Sequence, residues 1–156
     1  MPTRPTLLIV YHSQSGTTSR LAEAVVAGAR DPDAGDVNVI VADPLTVGPD
    51  TVLEADGYLF GTPENFGYMS GALKHFFDRI YYPCEGKLAG RPYGLFVAAG
   101  NDGSGAISSV ERIVTGLALT RIQPPLLCVG EVDAQRLDAA RELGMLTAAG
   151  LDAGVF

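Results

Sequence analysis

The chain has 156 residues, of which 47% are hydrophobic and 19% charged, enough apolar sequence to bury the core of one domain. Its 18 acidic and 11 basic residues give a formal charge of −7, which argues against nucleic-acid or anionic-membrane partners. Cys84 and Cys128 are too few for a disulfide framework or a metal site. Without an 18-residue apolar run or a signal peptide, we expect one cytoplasmic domain over residues 1–156.

The first half of the chain alternates strand and helix. Leu7–Tyr11 is a short, continuously apolar run, typical of a strand that is covered on both faces. A predicted helix follows and extends to about Arg30. Val37–Val41 and Tyr58–Phe60 are predicted as the next two strands, with a weak helical turn near Thr51–Ala55 between them.

The second half continues the alternation. Pro63 disfavours helix just before it, so we predict a loop from there to about Ser70. The clearest helix of the chain comes next, and Pro83 is expected to end it. The remaining predictions are a fourth strand, a fourth helix, a fifth strand and a last helix, at Tyr93–Ala99, around Val110–Leu117, at Leu126–Val129 and from Asp133.

Five strand–helix units in this length predict an α/β fold, a doubly wound parallel sheet with helices on both faces and right-handed crossovers. The pattern of elements does not by itself define the strand order. In such folds, ligands bind beyond the carboxyl ends of the strands, where neighbouring connections leave toward opposite faces. We therefore expect the chemistry in the loops after strands one, three and four.

The loop after the first strand reads S-Q-S-G-T-T over Ser13–Thr18 and leads directly into a helix. Hydroxyl groups and the free N–H groups of a first helical turn form a donor-rich, positively polarised pocket suited to a phosphate monoester. A plain helix cap needs only one such residue, so four hydroxyl residues in six positions favour phosphate binding.

The chain lacks the residues that other phosphate-binding and hydrolytic sites require. The chain has no P-loop motif, no cysteine nucleophile in the first loop and no G-x-S-x-G elbow. His12 and His75 have no metal-ligand partners at useful spacing. The sequence therefore predicts a pocket that holds a phosphate group rather than one that cleaves it.

The loop after the third strand, Gly61–Gly71, contains two aromatic residues beside glycines. Phe66 and Tyr68 would offer rings for stacking, and the Asn65 amide would serve polar atoms, which suits a flat aromatic ligand. The alternative is that the aromatic side chains tuck beneath the loop. Together with the phosphate site, this loop indicates a ligand with a phosphate at one end and a flat ring at the other.

These two loops resemble those of the flavodoxin-like superfamily. S-Q-S-G-T-T matches its [ST]-x-[ST]-G-x-T phosphate loop for FMN. G-T-P-E-N-F-G-Y-M-S-G, followed by A-L-K-H-F-F-D-R, resembles the second flavin loop and helix of NAD(P)H-dependent flavin and quinone reductases near the tryptophan-repressor-binding protein group. The resemblance implies a flavodoxin-like sheet of order 2-1-3-4-5 with FMN at the switch point.

The resemblance also implies the cofactor-binding residues in three groups. The first group would hold the phosphate, the second would line the isoalloxazine ring, and the third would close its pyrimidine side or the ribityl chain. They are Ser13, Gln14, Ser15, Gly16, Thr17 and Thr18; Pro63, Glu64, Asn65, Phe66, Gly67 and Tyr68; and Gly100, Asn101, Asp102 and Gly103.

The chain departs from electron-carrier flavodoxins in its fourth-strand loop, A-A-G-N-D-G-S-G, which has no aromatic residue to stack on the ring. We therefore predict an FMN-dependent oxidoreductase whose open ring face admits NAD(P)H and a quinone or similar acceptor, with no protein acid or base. A one-electron carrier and a flavin-binding accessory module are the alternatives.

We also expect Glu64 to lower the reduction potential of the flavin. Tyr81-Tyr82-Pro83 is a candidate homo-oligomer contact, with the edge of the core as the other interpretation.

Overall fold

A parallel β-sheet forms the centre of the computed structural model, which describes residues 3–156. Its strands are β1 (Thr6–Tyr11), β2 (Asn38–Ala42), β3 (Gly57–Pro63), β4 (Pro92–Ala99), β5 (Thr120–Arg121) and β6 (Leu126–Val129). They lie in the order β2-β1-β3-β4, and both β5 and β6 pair in parallel with β4. The predicted order 2-1-3-4-5 is confirmed, with two short pieces sharing the fifth position.

The fifth position of the sheet is interrupted between its two pieces. Residues 122–125 separate β5 from β6 and include Pro124 and Pro125, which have no N–H to contribute to the ladder. The prediction contained β6 with its observed bounds but missed β5. Two exposed residues, Thr120 and Arg121, carry no hydrophobic pattern from which a strand could be recognised.

Five helices cover the two faces of the sheet: α1 (Thr17–Ala29), α2 (Pro49–Glu54), α3 (Gly71–Cys84), α4 (Ser104–Gly116) and α5 (Ala134–Ala153). Side chains of α1 and α5 share one apolar cluster with Leu7 and Ile9 of β1. Helices α2, α3 and α4 share the other cluster with Leu8 and Val10 of the same strand. Since side chains alternate along a strand, β1 contributes to both cores and is covered on both faces, as its apolar run predicts.

Helices α1 and α5 pack with their backbones in contact. A Cβ atom added to Gly28 would lie 1.9 Å from the carbonyl oxygen of Arg141, and one added to Gly144 would lie 1.9 Å from that of Val25. Only glycine fits at these two positions, which the sequence places on the inner stripe of each helix. The close contact fixes α1 on the sheet and thereby fixes the position of its N-terminus.

Helix α3 forms where the sequence predicts a helix, but it ends one residue later than expected. Ser70 is the N-cap, and its side chain accepts a hydrogen bond from the N–H of Leu73. Pro83 lies inside the last turn and the helix ends at Cys84, so the expectation that the proline stops it was wrong. The N–H of Glu85 donates to the carbonyl of Tyr81, which closes the turn around the proline.

Candidate functional site

Three loops meet at the carboxyl edge of the sheet, and two of them leave toward opposite faces. The connection after β1 enters α1 on one face, and the connection after β3 enters α3 on the other. Strands β1 and β3 are neighbours, so the switch point of the fold lies between them. The loop after β4 lies beside it.

A cavity of about 420 Å³ lies at this edge. Its walls come from all three predicted loops and from the end of the fifth strand position. The lining residues are Gln14, Ser15, Thr17, Thr18, Pro63, Glu64, Asn65, Ala98, Ala99, Gly100 and Gly130. The structure thus brings together members of each predicted group. Ala98, Ala99 and Gly130 were missed, although Gly130 follows a strand end that the same rule would have identified.

The first loop forms the N-terminus of α1. Gly16 is the N-cap residue and has a φ of 99°, a left-handed conformation that favours glycine. The Ser13 hydroxyl oxygen accepts hydrogen bonds from the N–H groups of Gly16 and Ser19, at 3.2 and 3.1 Å. The N–H groups of Thr17 and Thr18 form no hydrogen bond with any residue between 3 and 156. This helix end therefore keeps free donors and its positive dipole field.

Gly16 is constrained by its backbone conformation and not by crowding from neighbouring atoms. A Cβ atom added at this position would have no heavy atom within 4 Å, so the protein itself offers no clash. The constraint on Gly16 is its φ of 99°, which costs other residues about 1–2 kcal/mol. Its substitution would act through backbone strain at the loop rather than through crowding within the fold.

The second loop is a tight hairpin after the end of β3. The N–H of Asn65 donates to the carbonyl of Tyr68 at 2.8 Å, and the reverse hydrogen bond is 3.1 Å long. Between them, Phe66 and Gly67 have φ values of 54° and 70°, as a two-residue type I′ turn requires. The Phe66 side chain is fully exposed and Tyr68 is 42% exposed, so neither aromatic ring tucks beneath the loop. Both lie outside the set of residues that line the cavity.

Glu64 joins this hairpin to the N-terminus of α4. Its carboxylate accepts hydrogen bonds from the N–H groups of Gly103, Gly105 and Ala106, at 3.0, 3.1 and 3.2 Å. The backbone N–H of Glu64 donates to the carbonyl of Ala98 at 2.9 Å and extends the pairing of β3 with β4. Glu64 is thus both a cavity residue and the cap of a helix, a role that its sequence position did not reveal.

The third loop reaches the cavity only through its first residue, Gly100. Asn101 and Asp102 are exposed, and the Asp102 carboxylate accepts a hydrogen bond from the Ser104 hydroxyl at 2.6 Å. Gly103 is the buried N-cap of α4 with a φ of 87°. These three predicted residues shape the start of α4 rather than the cavity wall.

Residues 3–156 show no metal site, no reactive thiol and no membrane-spanning helix. This part of the chain contains no cluster of three or more His, Cys, Asp or Glu side chains that could hold a metal ion. Cys84 and Cys128 are both free and buried, and burial raises the pKa of each thiol, which keeps them protonated and unreactive. None of the described helices is long and apolar enough to cross a membrane.

Comparison with known proteins supplies the family. Residues 43–131, more than half of the chain, match the family described as NADPH-dependent FMN reductase. The chain therefore belongs to this family, as its two loops imply, and FMN is the cofactor of that family. The match begins after the α1 loop, so the evidence for the phosphate end of the cavity is the geometry above.

Individual relatives agree with this assignment. The chain is 32% identical to a flavodoxin of Aquifex aeolicus over 111 residues, covering 71% of this chain and 59% of the relative. It is also 32% identical to the quinone-oxidoreductase QR2 of Triphysaria versicolor over 130 residues, covering 70% and 62%. The chain thus spans about three fifths of the length of these relatives. A solved archaeal flavodoxin shares the fold, with a TM-score of 0.81, 22% identity and coverage of 94% and 98%.

Proposed function

We propose that the chain binds FMN across this cavity and uses it to transfer electrons from NAD(P)H to a quinone or a similar acceptor. The observation that carries the proposal is the open N-terminus of α1 at the switch point between β1 and β3. Membership of the NADPH-dependent FMN reductase family supports the cofactor, and the printed name of the QR2 relative supports the acceptor class.

The α1 loop fits the phosphate group of FMN. Two free N–H groups, of Thr17 and Thr18, lie at the positive end of a 13-residue helix whose first turn contains no acidic residue. Ser15 and Thr17, which both carry hydroxyl groups, also line the cavity. Each hydrogen bond to a charged phosphate contributes about 1.5–3 kcal/mol, so a few of them hold a dianion without a lysine. In this arrangement Ser13 and Gly16 shape the loop.

The other end of the cavity fits a flat ring. Ala98, Ala99, Gly100 and Gly130 have small or no side chains, so a ring can approach the backbone closely there. Pro63 and Asn65 also line the cavity, and the Asn65 amide offers both a donor and an acceptor to polar ring atoms. We propose that Phe66, Gly67 and Tyr68 act at the mouth of this end rather than within it.

FMN, when bound, supplies the hydride and electron transfer, and the protein supplies anchoring, orientation and the local field. The loop 100–103 carries no aromatic side chain that could stack on the ring. That side of the cavity is therefore free to admit a nicotinamide or a quinone. No side chain of this chain is assigned as a general acid or base.

The proposal is tested with the purified protein in three steps. Apoprotein titrated with FMN should quench the fluorescence of FMN at a stoichiometry of one per chain. NADH or NADPH, added without oxygen, should then bleach the flavin absorption, and a quinone should restore it. Failure of FMN to bind even at high excess would overturn the proposal, and binding without bleaching by either nucleotide would overturn the reductase part of it.

A one-electron carrier is the second candidate. The Aquifex aeolicus relative, which is 32% identical over 71% of this chain, has the printed name flavodoxin, and this favours the carrier. Anaerobic photoreduction separates the two functions. A carrier should accumulate a long-lived one-electron-reduced form and ignore NAD(P)H, whereas a reductase should pass directly to the two-electron-reduced state.

A further inference from the structure

The hairpin after β3 is attached to α4 at two points. The Glu64 carboxylate accepts three N–H bonds from the start of α4, and the N–H of Met69 donates to the Ser109 hydroxyl of the same helix at 3.1 Å. Both Met69 and Ser109 are buried. The hairpin therefore does not lie free in solvent, and its position depends on that of α4.

The two segments also approach as closely as their backbones allow. A Cβ atom added to Gly105 would lie 2.0 Å from the carbonyl oxygen of Gly67. The first turn of α4 and the tip of the hairpin are thus in backbone contact, which holds the Glu64 oxygens within reach of the three N–H groups. Within residues 3–156, the one other hydrogen bond between the hairpin and α4 is the neutral bond from Met69 to Ser109, and hydrogen bonds to a carboxylate are stronger.

The charge of Glu64 sets the sign of the electrostatic field at the end of the cavity that we assign to the flavin ring. An uncapped helix N-terminus carries the equivalent of about +0.5 charge, and a carboxylate placed on it makes the sum about −0.5. Glu64 lines the cavity, so this net negative charge lies next to it. The α1 end has no such carboxylate and stays positive. The cavity is therefore positive at its phosphate end and negative at the end assigned to the ring.

We infer that Glu64 is a positioning residue that holds the hairpin on α4 and, through its charge, lowers the reduction potential of the flavin. The potential falls because reduction adds negative charge to the ring, which a nearby carboxylate opposes. The positioning role concerns the protein alone, whereas the effect on the reduction potential rests on the proposed function.

The test compares Glu64→Gln with Glu131→Gln. Both remove one negative charge, but Glu131 is exposed and its side chain forms no hydrogen bond within residues 3–156. In the apoprotein, Glu64→Gln should raise amide hydrogen exchange at Gly103, Gly105 and Ala106 at least tenfold. The preference for reduced over oxidised FMN, from the two dissociation constants, should also rise at least tenfold, about 30 mV for two electrons. Glu131→Gln should change neither quantity more than threefold.

A second variant separates charge from position. Glu64→Asp keeps the charge but withdraws its oxygen atoms by one methylene group, so exchange should again rise while the FMN preference stays within threefold of wild type. This variant also decides the positioning role if Glu64→Gln fails to fold. Unchanged exchange in the folded variants would overturn the positioning role, and an unchanged FMN preference in Glu64→Gln would overturn the electrostatic role. Wild-type protein that binds no FMN would instead refute the proposed function, while the exchange result would still decide the positioning role.

Discussion

Helices α1 and α4 begin at the same edge of the sheet with nearly the same backbone and opposite electrostatics. Their N-cap residues, Gly16 and Gly103, have φ/ψ angles of 99°/−15° and 87°/−16°. At each helix one side chain accepts hydrogen bonds from the N–H of the cap glycine and from that of the third helical residue. At α1 the acceptor is the neutral hydroxyl of Ser13, whereas at α4 it is the carboxylate of Glu64.

The difference shows how one local structure is used for two purposes. A neutral acceptor satisfies the helix end and leaves its positive field and two N–H groups for a ligand. A carboxylate satisfies the same kind of helix end, accepts a further hydrogen bond from the N–H of Gly105, and makes the net local charge negative. An anionic ligand is therefore directed to α1 and away from α4, although both helices begin at the same edge of the sheet.

The largest expected effect comes from making α1 resemble α4. Thr17→Glu places a carboxylate at the first position of α1, where it competes with the phosphate for the free N–H groups and repels it. We expect the dissociation constant for FMN to rise at least 100-fold, about 2.7 kcal/mol, as measured by fluorescence titration. The glutamine side chain in Thr17→Gln has the same size as glutamate without the charge. This variant should raise the dissociation constant for FMN less than tenfold. Equal losses in the two variants would contradict the electrostatic explanation.

The two cap glycines should differ in their tolerance of a side chain. Gly16→Ala meets only backbone strain, about 1–2 kcal/mol, because no atom lies within 4 Å of the new Cβ. Gly103→Ala meets the same strain and a Leu127 methyl group at 2.3 Å, so it should cost about 2–4 kcal/mol. Urea unfolding of the two apoproteins measures both values. A larger loss of stability in Gly16→Ala than in Gly103→Ala would contradict the closer packing around Gly103.

The neutral cap of α1 should contribute a modest amount of stability. Ser13→Ala removes the acceptor of two N–H groups, and we expect the free energy of unfolding of the apoprotein to fall by about 1 kcal/mol. Ser15→Ala is the control, since its hydroxyl forms no hydrogen bond with residues 3–156 and its loss should change stability by less than about 0.5 kcal/mol. If both variants behaved alike, the Ser13 hydroxyl would not stabilise the start of α1.

The smallest effect concerns the hairpin that α4 holds. Phe66 occupies the first turn position with a φ of 54°, where type I′ turns prefer Asn, and its exposed ring packs on nothing that stabilises the fold. Phe66→Asn should therefore stabilise the apoprotein by about 0.5–1 kcal/mol in urea unfolding, whereas Phe66→Leu should not. A loss of stability in Phe66→Asn would indicate that the Phe66 ring contributes contacts to the fold.

The chemistry of the two loops was predictable to different degrees. The phosphate loop is a continuous run, Ser13–Thr18, so its donors, its glycine and the helix that follows are all visible in one short stretch. Glu64 was identified as a site residue, but its partners lie in α4, distant in the chain, and no local pattern shows that they meet. The hairpin tip is predicted to contact the ring; its type I′ turn and the exposure of Phe66 became visible only in the structure.

The sequence by itself determined the alternation of strands and helices, their buried faces and the hydroxyl-rich start of α1, because each of these depends on spacing between residues that are close in the chain. The tertiary structure decided which helix end stays open and which is capped, and that Gly103 but not Gly16 is crowded. Those properties depend on contacts between distant segments, such as Glu64 with α4 and Leu127 with the α4 cap. Such contacts form only when the sheet brings its strand ends to one edge.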